Sequence, residues 1–271
     1  MPVVAPAAVV SPVARVRVRW LVAVVAIAVV ATALVPRVPQ DPAYHAFADT
    51  RSVLGLPHAL NVLSNVVFLW AGLHGLLWLR RERARTGGPL TTEWERGAAA
   101  VLFGGIALTG VGSAWYHLAP DNATLVWDRL PMTLAFMTFL ALVLAERVSL
   151  AAGRRLLPVL LGAGVGSVLY WAATERAGAG DLRPYALVQF LPMALIPLLL
   201  GFFPARYSRG GDVLGVIGWY AAAKAAELLD APIFAAGGIV SGHTLKHVLA
   251  GVAAWWIVRM VMRRRPLALE G

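Results

Sequence analysis

Runs of about twenty mostly apolar residues, bounded by charged residues, proline or glycine, recur along nearly the whole chain. A helix of roughly 20 residues crosses the ~30 Å hydrocarbon core of a bilayer, and only helices and closed barrels satisfy their backbone polar groups there. Eight candidate runs cover 18–36, 59–79, 97–118, 129–147, 155–174, 185–203, 213–230 and 243–262. The sequence therefore predicts an all-α integral membrane protein with a seven-helix transmembrane core and one additional N-terminal transmembrane helix.

The connections between these runs are too short for a separate soluble domain. We expect an N-terminal membrane anchor helix and outer loop over residues 1–58, the seven-helix core over 59–262 and a cytoplasmic tail over 263–271. The first run could instead be a cleaved signal peptide. Its apolar stretch slightly exceeds the ~7–15 residues of a signal core, which favours a retained anchor.

Composition excludes several classes of protein. Hydrophobic residues make up 59% of the chain and charged residues 14%, whereas soluble domains contain about 45–50% apolar and about 25% charged residues. This excludes the water-soluble and disordered classes. The chain has no cysteine, which excludes disulfides, thiolate nucleophiles and cysteine-based metal sites. Any bound metal must therefore be held by histidine and carboxylate.

The positive charge is distributed unevenly between the loops. The formal net charge is +10, and most arginines lie in loops on one predicted side of the membrane, such as Arg80–Arg85 and Arg263–Arg265. Short basic loops remain cytoplasmic, so both termini are predicted to be cytoplasmic. The basic loops also explain the high charge without a nucleic-acid partner, because they orient the chain and meet anionic lipid. The Ala-, Arg- and Gly-rich composition is typical of a bacterial protein, which predicts the bacterial inner membrane.

Ionisable and amide side chains lie inside several of the spans. Such residues cost ~2.5–3.5 kcal/mol each on insertion scales, so a cluster of them is a functional hypothesis. They are Asn61, Ser64 and Asn65; Ser113 and His117; Asp128; Lys224, Glu227 and Asp230; and His243, Lys246 and His247. The alternating direction of the spans places all of them in the outer half of the bilayer. We therefore expect one shared polar chamber, with Asp49, Arg51 and the turn at Gly55 forming an outer loop over its mouth.

Three of these residues suit a metal ion. His117, His243 and His247 offer three neutral imidazoles, and catalytic zinc takes three protein ligands and leaves a fourth position for water. His243 and His247 are separated by one helical turn, a spacing that binds zinc in metalloprotease helices. Asp128 is expected beside the open position, where it could take a proton from water.

The ordered motif set resembles that of the alkaline ceramidases. The set is Gly112-Ser113-x-x-x-His117, then Asp128-Arg129-Leu130-Pro131-Met132, then His243-x-x-x-His247 with Gly251. The segment Asn61–Phe68 is similar to the first core span of that family. The resemblance covers 59–262 and extends to the wider membrane hydrolase superfamily, which includes the adiponectin-type receptors.

This resemblance implies a zinc-dependent amidohydrolase that cleaves the N-acyl bond of ceramide or a similar lipid amide. It implies that His117, His243 and His247 bind Zn²⁺, that Asp128 orients and deprotonates the attacking water, and that Ser113 steadies the developing oxyanion. The expected partners are a lipid substrate and membrane lipids, with no obligatory protein partner. The family has an acidic residue after the motif aspartate, and this chain has Arg129 there. The resemblance therefore does not indicate which head group the substrate carries.

Several alternatives remain open at this point. Asp128 could be the N-cap of the fourth span, and Ser113 could serve helix packing. Asn61, Ser64 and Asn65 are expected to cross-link helices. Glu227 could pair with Lys224, or Glu227 or Asp230 could hold a ligand imidazole. The whole chain could be a receptor-like seven-helix protein with a structural zinc site, or Lys224, Glu227 and Asp230 could form an ion pathway.

Overall fold

The computed structural model describes residues 12–268, and the expectations for residues 1–11 and 269–271 lie outside them. Within this range the chain is helical, and its only extended pairings are the isolated bridges Val53–Leu56 and Tyr207–Pro266. The helices are α1 (Pro12–Leu34), α2 (Ala59–Leu63), α3 (Val66–Arg81), α4 (Glu93–Leu118), α5 (Asn122–Arg147), α6 (Leu150–Arg176), α7 (Arg183–Phe202), α8 (Asp212–Leu228), α9 (Asp230–Gly237) and α10 (Gly242–Arg263). A short 3₁₀ turn, Pro42–His45, precedes α2.

Seven helices of the described residues are long and apolar enough to cross a membrane. They are α1, the combined α2 and α3 (Ala59–Arg81), α4, α5, α6, α7 and α10. The remaining predicted span corresponds to α8, which has 17 residues and lies at the lower end of the ~17–25 residues that span a bilayer. The all-α, multi-pass membrane architecture is therefore confirmed.

Polar caps lengthen the helices beyond the apolar runs that predicted them. α4 begins after Thr92, which forms a capping box with Glu95. α5 begins after Asp121, whose side chain accepts a hydrogen bond from the backbone N–H of Thr124. Each cap satisfies N–H groups that a helix start leaves unpaired. The predicted start of the fourth span at 129 was therefore about two turns late.

α4 and α5 form the centre of the bundle, and α1 lies at its edge. The buried share of the apolar window is 56% in α4 and 67% in α5, compared with 6% in α1. Glycines allow the central contacts, because a Cβ at Gly110 would meet the backbone nitrogen of Leu69 at 2.7 Å. α1 contacts α7. Its C-terminal end is bound by Arg183, which donates to the carbonyl oxygens of Ala33 and Val35.

The segment between α1 and α2 covers one end of the bundle. Asp49 is buried and accepts hydrogen bonds from the Arg51 guanidinium at 2.8 Å, and these bonds hold the pKa of Asp49 below its ordinary value. Arg51 also donates to the carbonyls of Gly238 and Ile239 in the loop before α10. Arg51 thus joins this loop to the segment before α10, which agrees with the structured loop that the sequence predicted for Asp49 and Arg51.

A charged network closes the opposite end. Glu95 of α4 lies 3.4 Å from the guanidinium of Arg264, which also lies 3.7 Å from Glu146 of α5. The Tyr207 hydroxyl donates to Glu95 at 2.7 Å, and the Tyr207 ring faces Arg264 at 4.0 Å. This end is therefore held together by a network of acidic, basic and aromatic groups.

Candidate metal and catalytic site

Three histidines meet at the end of the bundle that the outer loop covers. His117 comes from the last turn of α4, and His243 and His247 come from the first two turns of α10. The Nε2 atom of His117 lies 3.2 Å from Nε2 of His247 and 3.3 Å from Nε2 of His243. All three side chains are buried. The helical spacing of His243 and His247 and the meeting of the end of α4 with the start of α10 thus produce one cluster.

The geometry of this cluster fits a tetrahedral metal ion. Nitrogen ligands lie ~2.0–2.1 Å from zinc, so two tetrahedral ligands are separated by roughly 3.3–3.4 Å. The two measured Nε2 separations are close to this value, and one ligand atom from each histidine lies within 4.8 Å of the others. The residues present could therefore hold a metal ion.

Ser64 determines which nitrogen of His247 carries the proton. Its hydroxyl donates to the carbonyl oxygen of Asn61 at 3.1 Å and lies 2.8 Å from Nδ1 of His247. Because its single hydrogen is used on Asn61, the Ser64 oxygen accepts from an Nδ1–H group. The lone pair of Nε2 is then directed at the other two histidines, which is the tautomer that a metal ligand needs.

The polar residues of α2 connect this helix to α10, as the sequence predicted. The Thr244 hydroxyl donates to the side-chain oxygen of Asn61 at 2.7 Å, next to the bond between Ser64 and His247. Asn65 instead donates to carbonyls of its own helix region, at Asn61 and Val62. The interpretation as cross-links is confirmed for Asn61 and Ser64. The direct support that Ser64 gives to an imidazole was not foreseen.

Asp128 and Ser113 lie beside the histidines. Both are buried, both line the same cavity as His247, and the Ser113 hydroxyl faces the Asp128 carboxylate. Asp121 is the N-cap of α5, so the alternative that Asp128 caps this helix was wrong. Asp128 lies in the second turn, where its carboxylate is free of a capping role.

Gly112 explains why these two residues meet. A Cβ at Gly112 would overlap the carbonyl oxygen of Trp127, the residue before Asp128. α4 and α5 therefore approach each other most closely one residue before Ser113 and Asp128. Packing of this kind, where small residues let helix backbones touch, is typical of membrane bundles.

Phe47 of the outer loop covers the histidine cluster. Its ring centroid lies 4.7 Å from that of His117 and 4.4 Å from that of His243. His45, two residues earlier, contacts the Tyr116 hydroxyl at 2.8 Å and the Asn122 side chain at 2.9 Å. The sequence alone indicates no role for Phe47 or His45. No periodic pattern marks them, because a loop has none.

The acidic residues of α8 and α9 do not hold the imidazole rings. Asp230 accepts from the backbone N–H of His243 at 2.7 Å and from that of Ala48 at 2.9 Å, so it joins the start of α10 to the outer loop. Glu227 pairs with Lys224, as expected, and also with Lys246 at 3.1 Å. The sequence left open that Glu227 or Asp230 bonds to the imidazole of a ligand histidine. Ser64 makes that contact instead, at Nδ1 of His247.

A cavity of about 330 Å³ extends from the site into the bundle. Its polar end contains Ser113, Asp128 and His247, and the remainder is lined mainly by apolar side chains of α4, α5, α7, α8 and α10, among them Ile106, Phe136, Met193, Ile196 and Ile257. Ligand sites of this kind combine an apolar lining with a few converging polar groups. The shape suits a molecule with a hydrocarbon chain and a polar group beside the histidines.

Comparison with known families agrees with this arrangement. A family model described as Ceramidase matches residues 57–192, about half of the chain. The matched region contains Ser64, Ser113, His117 and Asp128, while His243 and His247 follow it. No curated protein matched the chain.

Proposed function

The chain belongs to the ceramidase family, and from this premise we propose that it is a zinc-dependent membrane hydrolase that cleaves the N-acyl bond of ceramide or a similar lipid amide. The family implies a lipid substrate. The observation that carries the proposal is the convergence of His117, His243 and His247, of which His247 lines a mainly apolar cavity together with Asp128.

The proposed metal ligands are the Nε2 atoms of the three histidines. Zinc held there would polarise the amide carbonyl and lower the pKa of water to ~7. Ser64 keeps His247 in the required tautomer. Phe47 covers the histidines on the loop side and excludes bulk water, which strengthens electrostatic interactions inside the site.

The chain's own groups move the proton. In the proposed reaction Asp128 accepts a proton from the attacking water as the water oxygen bonds to the carbonyl carbon. Asp128 then delivers this proton to the amine nitrogen as the C–N bond breaks, which gives a fatty acid and a free amine. Once Asp128 has taken up the proton, the Ser113 hydroxyl that faces it turns and donates to the carbonyl oxygen as that oxygen becomes negative. In other hydrolases, removal of one preorganised donor of this type raises the activation barrier by ~2.7–4 kcal/mol.

The same proposal includes an orientation. With both termini in the cytoplasm, the histidine cluster and the outer loop lie in the outer half of a bacterial inner membrane. The support is the excess of arginine in the loops at the other end of the bundle, such as Arg263–Arg265 after α10.

A metal and activity analysis tests the proposal. Purified protein should contain about one zinc per chain and release fatty acid from an N-acyl sphingoid lipid. His243→Ala and His247→Ala should lose both properties, whereas His74→Ala should keep both, because His74 packs against Trp70 and Trp255 away from the cluster. Full activity in protein stripped of metal would refute the proposal.

A second candidate is a receptor-like protein in which zinc is structural. The observation that favours it is the cover that Phe47 places over two of the histidines, because structural sites are closed. Asp128→Asn distinguishes the two functions. The enzyme should keep its zinc and its thermal stability and lose turnover by ~10²-fold or more, whereas a structural site predicts no turnover in the unaltered protein.

A further inference from the structure

We propose that Arg129, supported by Lys224 and Lys246, binds an anionic group of the substrate, so that the preferred lipid amide carries a carboxylate or phosphate on its amine side. This inference rests on the proposed function and specifies its substrate class. All three residues line the cavity that contains Asp128 and His247.

Arg129 lines the cavity and has one buried donor without a partner in the part of the chain that the structure describes. Its side chain is buried, and its Nη2 group donates to the side-chain oxygen of Gln40 at 2.7 Å. Its Nη1 group has no hydrogen-bond partner among the described residues. A buried charged donor without a partner is costly, and an oxyanion in the cavity would remove that cost.

Aromatic rings hold the guanidinium in place without using its N–H groups. The Arg129 Cζ atom lies 4.2 Å from the ring centroid of Trp171, 4.7 Å from that of Tyr185 and 5.6 Å from that of Tyr44. Such contacts stabilise the cation through the ring faces. Nη1 therefore remains without a hydrogen-bond partner within residues 12–268, and a guanidinium nitrogen of this kind suits an oxygen of a carboxylate or phosphate.

The other charges of the cavity do not balance. Among the described residues, Glu227 is the one acidic partner of both Lys224 and Lys246, so this group of three carries an excess positive charge. Asp128 and Arg129 add one charge of each sign, and the cavity lining is left with one surplus cation. A neutral head group would leave that charge uncompensated in an apolar surrounding, whereas an anionic head group would compensate it.

Matched substrates test the inference. N-oleoylglycine and N-oleoylethanolamine share an acyl chain and an amide and differ in the terminal carboxylate or hydroxyl. Phosphorylated and unphosphorylated ceramide make the same comparison for phosphate and show which anion is preferred. We expect a higher kcat/KM for the anionic member of at least one pair. Arg129→Gln should reduce that preference by ~10–100-fold, the size of a charge-assisted hydrogen bond, mainly through KM.

Control variants separate binding from folding. Arg154→Gln, at an exposed arginine of α6, should leave the preference unchanged. Arg129→Lys keeps the charge and should keep part of the preference. If Arg129→Gln does not fold, Lys224→Met provides the test, and it should also reduce the preference. Equal loss of activity on the anionic and neutral substrates would show that Arg129 has only a structural role, and the inference would be wrong while the proposed function stood.

A binding measurement keeps the two proposals distinguishable. If no lipid amide is hydrolysed, the proposed function fails, and thermal stabilisation by N-oleoylglycine then decides the inference alone. Stronger stabilisation by N-oleoylglycine than by N-oleoylethanolamine, lost in Arg129→Gln, supports it. Equal stabilisation by both compounds overturns it.

Discussion

Ser64 connects the local structure of α2 to the chemistry of the site. Its hydroxyl hydrogen is used on the carbonyl of Asn61, and its oxygen faces Nδ1 of His247. A small hydroxyl thereby fixes the orientation and tautomer of one of the three histidines. Partners of this kind commonly change metal affinity by ~10–100-fold when they are removed.

Ser64→Ala is therefore expected to weaken metal binding without unfolding the protein. The imidazole of His247 loses the acceptor that fixes its proton, so zinc occupancy at a fixed chelator concentration should fall, with an affinity loss of ~10–100-fold. Ser167→Ala is the control, because Ser167 is also a buried serine, and its hydroxyl donates to Gly164 within α6. Equal zinc retention in both variants would contradict this role of Ser64.

The histidine cluster could be predicted from the sequence, but its surroundings could not. His243 and His247 share a helix face by spacing alone, and the depth of His117 follows from the direction of its span. Phe47 and Ser64 act through the way a loop and a short helix dock on α10, which depends on contacts between distant segments. Arg129 was noted as a departure from the family pattern, but its aromatic cage comes from three different parts of the chain.

At the scale of helices, the contact between α4 and α5 places Ser113 beside Asp128. Gly112 permits this contact, since a Cβ there would overlap the Trp127 carbonyl. The sequence showed both helices through their apolar runs. It misplaced the start of α5, because Asn122, Thr124 and Asp128 interrupt the apolar run in the first two turns that Asp121 caps.

Gly112→Ala should separate α4 from α5 and reduce both stability and activity. Overpacking of a tight contact costs about 1–3 kcal/mol, so we expect a lower melting temperature in detergent and slower amide hydrolysis. Gly104→Ala on the same helix is the matched control, because a Cβ at Gly104 meets nothing within 4 Å and alanine favours helix. If both variants melt alike, the close approach at Gly112 is not a structural requirement.

At the scale of the whole molecule, α1 is joined to the bundle by a charged latch as well as by packing. Arg183 bonds the carbonyls of Ala33 and Val35 at the end of α1 and is itself bound by Asp181 at 2.7 and 2.8 Å. These hydrogen bonds lower the pKa of Asp181 to about 2. Because α1 is mostly exposed in the bundle, this latch adds to its packing on α7 in fixing its C-terminal end.

The latch gives the protein a defined acid sensitivity. A carboxyl whose pKa is lower in the folded protein than the ~3.9 of an unfolded chain stabilises the fold above that value. Its contribution is lost as the pH falls from about 4 toward about 2. Melting temperatures should therefore be measured between pH 6 and pH 2. The decrease in melting temperature over this range should be smaller in Asp181→Asn than in the unaltered protein, because the variant has no carboxyl to protonate at this position.

Arg183→Gln should reduce the decrease in melting temperature by the same amount. The double variant should be no less stable than either single variant, because both changes break one interaction. Additive losses in the double variant would show that Asp181 and Arg183 stabilise the fold separately, and that no latch exists.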